Sequence, residues 1–424
     1  MKQNELIAAL ESGALDKYSA LYSDTAEESK RFIGAISDFA KNFGEGREIS
    51  VFSVPGRSEI IGNHTDHNGG KVMAGAITRD IIAVASKNND GVVRFRSEGY
   101  AEDFVKIDEA SRPEGYRNFT SRALVAGMVG GFIKRGLAVG GFDVYMTTKV
   151  LKGSGLSSSA AFEVMIGNVL NHFYCDGKVE NSEIAKIAQY SENVYFGKPC
   201  GLMDQMACAV GSFVYIDFER DGAPFVKPVE FSLDDAGYAL CIVNTGGSHA
   251  NLNDDYASVP AEMKGVARLL GREKLVGLDE ETVVSAAEKI RRTLGDRALL
   301  RALHFVRECK RVDSARDALL EGSVEGFFEC IRESGDSSFK YLQNVYTNKA
   351  PKEQGLSLAL ALTDGYLKGK GGAYRVHGGG FAGTIQAFVK KEHLEGYSRL
   401  IESVFGKGAC DILSIRPLGA AKLF

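Results

Sequence analysis

At 424 residues the chain is long for one hydrophobic core and suits two domains. A hydrophobic content of 44% and a charged content of 25% are those of a soluble globular protein, and a formal net charge of -4 gives no electrostatic reason to expect nucleic acid or an anionic membrane as partner. No apolar run approaches the ~20 residues that cross a bilayer, and seven scattered cysteines without a C-x-x-C pair fit free thiols in a reducing cytoplasm.

The first residues, MKQNELIAALESGALDKY, carry acids and lack a long apolar stretch, so no signal peptide is expected. Residues 1–48 read as helices, with apolar positions such as Leu6, Leu10, Phe32, Ile36 and Phe39. A strand is expected from Ile49 to Val54, ending at Pro55-Gly56. GRSEIIGNHTDHNGG follows at 56–70. It reads as a polar, glycine-flanked segment between strands, a common place for ligand contacts. Alternatives are a solvated hairpin turn at Asn68-Gly69-Gly70 and metal ligation by His64, Asp66 and His67.

Strands are expected at 71–76, 80–86, 92–96 and 104–107, a helix at 115–135, and a strand at 142–148. The last leads into KGSGLSSSAAFE, residues 152–163. Apolar residues at 162, 165, 166, 169, 170 and 173 then mark one face of a helix starting near Ser158. Glycines before a helix N-terminus admit a phosphate, whose charge suits the free N–H groups and the helix dipole. An ordinary Gly-Ser turn capping a core helix reads equally well. The stretch is neither a Walker A loop nor a dinucleotide fingerprint.

A helix from about 182 to 195 carries Glu192 just off its apolar face. GKPCGLMDQMACAVGSF, 197–213, then places one acid, Asp204, among small and apolar residues. It reads as a helix cap or as a working carboxylate. Strands are expected at 213–217 and 238–244, with a change of domain near residue 220 and mostly helix from 253 to 370. A third glycine cluster, VHGGGFAGTIQAF at 376–388, lies between two strand-like runs, and a helix (391–405) and a strand (411–417) finish the chain.

Together these clusters resemble the GHMP family of small-molecule kinases, and within it the galactokinases. GRSEIIGNHTDHNGG resembles the sugar signature, GSGLSSSAAFE the ATP loop, PCGLMDQ the segment with the catalytic aspartate, and HGGGFAG the third motif. The resemblance implies an α+β fold of two domains, 1–220 like domain 2 of ribosomal protein S5 and 221–424 ferredoxin-like, with the site between them. It implies transfer of the ATP γ-phosphoryl group to the anomeric hydroxyl of D-galactose, with Mg²⁺ as cofactor. Gly153, Ser154, Gly155, Leu156, Ser157, Ser158 and Ser159 would cradle the phosphates, with Ser159 and Glu192 on the metal. Asp204 would act as base and Arg57 as its charge partner, with Asn63, His64, Asp66 and Tyr256 contacting sugar.

Departures from the family pattern are Asn63 where the signature carries Glu, no proline before the ATP loop, and ASVP after Tyr256 without an arginine. The first bears on substrate. Rival readings are a kinase for galacturonate, arabinose or N-acetylgalactosamine, and a kinase-like sugar sensor without turnover. The resemblance implies no protein partner.

Overall fold

A computed structural model describes residues 1–150, 155–198, 200–219, 224–247 and 252–424. Gly153 and Ser154 of the glycine loop therefore lie outside the described residues. The first half of the chain runs α1 (Gln3–Glu11), α2 (Thr25–Phe43), β1 (Ser50–Ile61), β2 (Lys71–Lys87), β3 (Val92–Ser97), β4 (Asp103–Lys106), α3 (Ser121–Lys134), β5 (Phe142–Thr148), α4 (Ser158–Tyr174), α5 (Asn181–Tyr190), α6 (Met203–Val210), β6 (Phe213–Asp217) and β7 (Phe225–Val229). The second runs β8 (Tyr238–Asn244), α7 (Asn253–Leu269), α8 (Glu280–Ser285), α9 (Ala287–Leu294), α10 (Asp296–Leu320), α11 (Val324–Ser337), α12 (Gly355–Leu367), β9 (Ala373–His377), β10 (Thr384–Lys390), α13 (Leu394–Phe405), β11 (Cys410–Leu413) and β12 (Ala421–Lys422).

Two long strands differ from expectation, and both differences place the site. The strands expected at 71–76 and 80–86 are one, β2, because β-branched Ile77 and Thr78 carry the extended backbone across. Its first part pairs with β6 (Lys71↔Asp217) and its last part with β5 (Ile81↔Thr148). Likewise β1 does not stop at Pro55-Gly56. A register shift between Pro55 and Arg57 absorbs the proline, and the strand continues to Ile61. Arg57 is thus held on a strand.

The first sheet has the order β12-β1-β2-β5-β3-β4, with β6 and β7 joined through β2. Only β3 and β5 run parallel among its described pairs. On one face, Met165, Ile166, Val169 and Leu170 of α4 bury the stripe expected from periodicity, with Phe162 and Phe173 half-buried. On the other, Leu6, Phe32 and Phe39 pack over Val51, Ile82 and Val84. The second sheet, β11-β8-β10-β9, is antiparallel throughout. Phe388 on one of its faces meets Phe327 and Phe328 of α11; Val243 and Ile385 on the other meet Tyr397 and Ile401 of α13. That alternation is the period-2 signature of a sheet covered on both sides.

Some helix ends move. α3 begins only at Ser121, because Pro113–Gly115 makes a separate 3-10 turn and Thr120 caps the helix through the Ala123 N–H at 3.2 Å. The helix expected at 182–195 is α5 followed by a wider π-turn, Ser191–Phe196, which turns Glu192 inward. β11 ends at Leu413, before the expected 417, and β12 returns the chain end to β1 (Phe52↔Lys422). Beyond the expected change of domain near residue 220, β7 pairs with β6.

A buried ion cluster ties these ends together. Asp80 on β2 takes hydrogen bonds from Arg31 of α2 (2.7 Å), Tyr22 (2.7 Å), Ser53 of β1 (2.5 Å) and Arg416 (3.3 Å). Burial alone would raise its pKa, but the two guanidiniums outweigh burial and hold it at about 2.

Candidate active site

The site is assembled where β1 passes beneath the glycine loop. A Cβ on Gly56 would fall 2.7 Å from the Leu156 carbonyl oxygen, so glycine lets the loop rest on the strand. The next residue secures it, the Arg57 N–H donating to that same carbonyl at 3.1 Å. The Arg57 side chain then grips Asp204 at two points, Nε to Oδ1 at 2.8 Å and Nη2 to Oδ2 at 2.7 Å. Its Nη1 donates to the Gly155 carbonyl at 2.5 Å.

Asp204 lies in the first turn of α6, where the helix dipole favours negative charge. It does not cap that helix; Leu202 holds the cap position without a side-chain bond. The carboxylate is spent on Arg57 and on the Ser157 hydroxyl, which donates to Oδ2. Ser157 occupies the N-cap position of α4 in the left-handed region (φ 56°) with no capping bond. The serine that would cap the helix instead reaches across to the acid. Burial would raise the Asp204 pKa; the Arg57 charge and hydrogen bonds reverse this and hold it below the usual carboxylate range.

Ser158 and Ser159 open α4 and are half-buried, and Leu156 is buried. Glu163 stands one turn beyond Ser159. It is fully buried, its Oε1 has no hydrogen-bond partner, and burial, then the Glu192 charge, push its pKa up. Glu192 is 2% exposed; Lys198 pairs with its Oε1 at 2.9 Å and Gln205 donates to its Oε2 at 2.7 Å. Among the described residues no group of three His, Cys, Asp or Glu side chains is arranged to hold a metal without further ligands.

Met203, next to Asp204 in the chain, and Glu59, two residues beyond Arg57, help to line a cavity of about 130 Å³, with Asn63, His64, Asp66 and Gly379 among others. A larger cavity, about 550 Å³, lies over residues 103–122 and contains none of the residues singled out in the sequence. The smaller one matters here because the chemistry surrounds it. His64 bonds through Nε2 to the Gly379 carbonyl at 2.9 Å, so Nε2 carries the proton; burial lowers its pKa. Asp66 is approached closely by Gly201, whose Cβ would fall 2.8 Å from its Oδ2. His67 is largely exposed. Tyr256, on α7, donates to the Gly380 carbonyl at 2.7 Å and lays its ring against Gly379.

Sequence reading missed the residues that brace this wall. His304 of α10 donates through Nε2 to the Asn63 carbonyl at 2.9 Å and accepts from Ser337 at Nδ1, and burial lowers its pKa to about 4. Glu308, one turn on, accepts from the Gly62 N–H at 3.1 Å. His377 of the third motif meets Ser58 at 3.1 Å and Thr384 at 2.8 Å, and burial, with Arg57 and Arg375 nearby, lowers its pKa to about 3. Nothing local in the sequence marks His304 or Glu308. Glu59 lies within the 56–70 segment marked for ligand contacts, but only the continuation of β1 to Ile61 sets it two residues beyond Arg57 on one strand.

A glycine loop at a helix start, facing an Arg–Asp pair between two α+β layers, defines a small-molecule kinase of the GHMP fold. The GHMP kinases N terminal domain matches residues 123–212, and the galactokinase galactose-binding signature matches 37–87. A galactokinase from Streptomyces coelicolor is 32% identical over 378 residues, 88% of this chain and 92% of that one. The crystal structure of Lactococcus lactis galactokinase complexed with galactose superposes with a TM-score of 0.75 at 25% identity, covering 91% and 98% of the two chains. Mevalonate kinase from Methanococcus jannaschii, 14% identical with a TM-score of 0.58 over 88% of this chain and 99% of its own, shares the fold. The chain belongs to the galactokinase family.

Proposed function

We propose that this chain transfers the γ-phosphoryl group of ATP to the anomeric C1 hydroxyl of D-galactose. The observation that carries the reading is the two-point Arg57–Asp204 pair, with Asp204 also bonded to Ser157 at the start of α4 and its neighbour Met203 lining the 130 Å³ cavity. The segment from Gly153 to Ser159 supplies the phosphate cradle, where free N–H groups at the helix start face negative charge. Asp204 is ionised at neutral pH because Arg57 outweighs burial. A carboxylate so stabilised is a weak base, but a loose phosphoryl-transfer transition state asks for little base strength. Its work is to orient the C1 hydroxyl and to take its proton as the new O–P bond forms. Arg57 keeps Asp204 charged and shares the charge that develops on the transferring group.

With the Nε2 proton committed to Gly379, His64 offers Nδ1 as an acceptor to a sugar hydroxyl. Asp66 adds a second acceptor, and Tyr256 shapes the floor through Gly379 and Gly380. Glu192 and the Ser159 hydroxyl are hard oxygen donors that fit Mg²⁺, which takes one or two carboxylates plus phosphate oxygens and water. The unpartnered, buried Glu163 Oε1 beside them supports that fit. When bound, Mg²⁺ neutralises phosphate charge. Lys198 balances Glu192 without it. All seven cysteines are free thiols, which supports a cytoplasmic setting. We retain the division near residue 220 as two functional units, with the chain end returning to the first.

The test is ADP release with ATP, Mg²⁺ and a panel of D-galactose, galacturonate, arabinose and N-acetylgalactosamine. Galactose is expected to give the highest kcat/KM. Turnover of another sugar with higher kcat/KM would replace the substrate, and binding without turnover would leave a sensor.

A further inference from the structure

Asn63 stands where the family signature carries its glutamate, yet its amide has nothing left to offer a sugar. Nδ2 donates to Glu59 Oε1 at 2.8 Å and to the Gly378 carbonyl at 2.7 Å. Oδ1 accepts from Asn344 at 2.7 Å and from Ser338 at 3.4 Å. Two donors and two acceptor positions are all an amide has, and the residue is 0% exposed. The carboxylate beside it is Glu59, which lines the cavity. Its Oε1 takes the Asn63 bond and lies 3.6 Å from the buried Arg375. Its Oε2 has no hydrogen-bond partner among the described residues and is not sealed from solvent.

The strand supplies the geometry. Arg57, Ser58 and Glu59 pair in register with Ala76, Gly75 and Ala74, so residues 57 and 59 project from the same face of β1. Two residues of strand span about 7 Å, the scale of one pyranose ring. Arg57 with Asp204 marks the end where C1 reacts, and Glu59 stands at the other.

We infer that Glu59, rather than residue 63, is the carboxylate that reads the far end of the sugar, with Asn63 as the positioning residue that holds it. Oε2 accepts a hydrogen bond from the hydroxymethyl group and repels a C6 carboxylate. The pocket therefore keeps its discrimination against uronic acids although position 63 is neutral. The inference rests on the galactokinase reading above.

Steady-state kinetics of the full chain on galactose and galacturonate, with a thermal melt of each variant, test it. Glu59→Gln is expected to raise the galactose KM by about tenfold with a smaller loss of kcat, because a charged acceptor becomes neutral. The kcat/KM preference for galactose over galacturonate should narrow by tenfold or more. Glu59→Asp keeps charge beside Arg375 while drawing it back from the cavity. It should fold, raise the galactose KM several-fold, and still reject galacturonate, so it decides the matter if Glu59→Gln does not fold. A lower melting temperature with unchanged galactose KM and unchanged preference would make Glu59 merely the counter-ion of Arg375 and overturn the inference. A wild-type protein inactive on galactose would sink the underlying reading and this inference with it.

Discussion

Two buried Asp–Arg assemblies in this molecule share their chemistry and differ in their purpose. Asp80 is bound by Arg31, Arg416, Tyr22 and Ser53, and its side chain is 1% exposed. Asp204 is bound by Arg57 and Ser157, and its side chain is 34% exposed. In both, guanidinium charge overrides the desolvation that would otherwise favour the neutral acid. The first joins α2, β1, β2 and the C-terminal segment with both oxygens enclosed. The second joins β1, α6 and the start of α4 and leaves a third of the Asp204 side chain open. A buried carboxylate sealed by its partners holds the fold; one left partly open is available to substrate.

The comparison breaks most sharply at Asp204. Asp204→Asn is expected to lower kcat about 10³-fold while ATP affinity and melting temperature change little, because what is lost acts in the transition state. A rate assay, calorimetry with ATP and a melt on one preparation check this; retained turnover would move Asp204 into the class of Asp80. The converse variant, Asp80→Asn, should cost about 3–5 kcal/mol of stability and leave kcat of the folded fraction near wild type. Urea unfolding beside the rate assay reads both, and a lost kcat in fully folded protein would contradict the division.

Acid sharpens the difference next. His304 and His377 brace the working side and are neutral when folded, with pKa values of about 4 and about 3 against an ordinary value near 6.5. The unfolded chain binds their protons more readily. Their contribution is therefore complete above about pH 6.5 and is lost as pH falls toward 4, by about 3 kcal/mol for each histidine. The Asp80 contribution, from a depressed carboxylate, is lost only below the ordinary carboxylate pKa. Denaturation midpoints should fall between pH 6.5 and 4, before the carboxylates titrate; a flat profile there would mean the histidines are not held neutral.

The smallest expected effect lies in the loop above the working pair. Gly155 has φ +74°, and a Cβ there would sit 3.3 Å from His377 Cε1. Gly155→Asp forces a side chain into a left-handed position, crowds His377 and sets a negative charge near the phosphates. ATP affinity should drop at least about tenfold with the fold intact. Calorimetry showing unaltered ATP affinity would reduce the loop to a helix cap.

The sequence alone carried the local elements and the motifs. The stripe of α4 and the alternation of the strands are written in residues a few positions apart, so they were legible. The identities of Arg57, His64, Asp66, Glu192 and Asp204 came with the motifs. What each side chain does with its hydrogen bonds was decided by tertiary structure. Arg57 reaches Asp204 across 147 positions, and Asn63 meets Asn344 across 281. Ser157 forgoes its own helix for Asp204. Periodicity describes one element at a time, whereas these bonds form only after separate elements have packed. Exclusion of water then drives most buried polar groups to find a partner, wherever in the chain that partner lies.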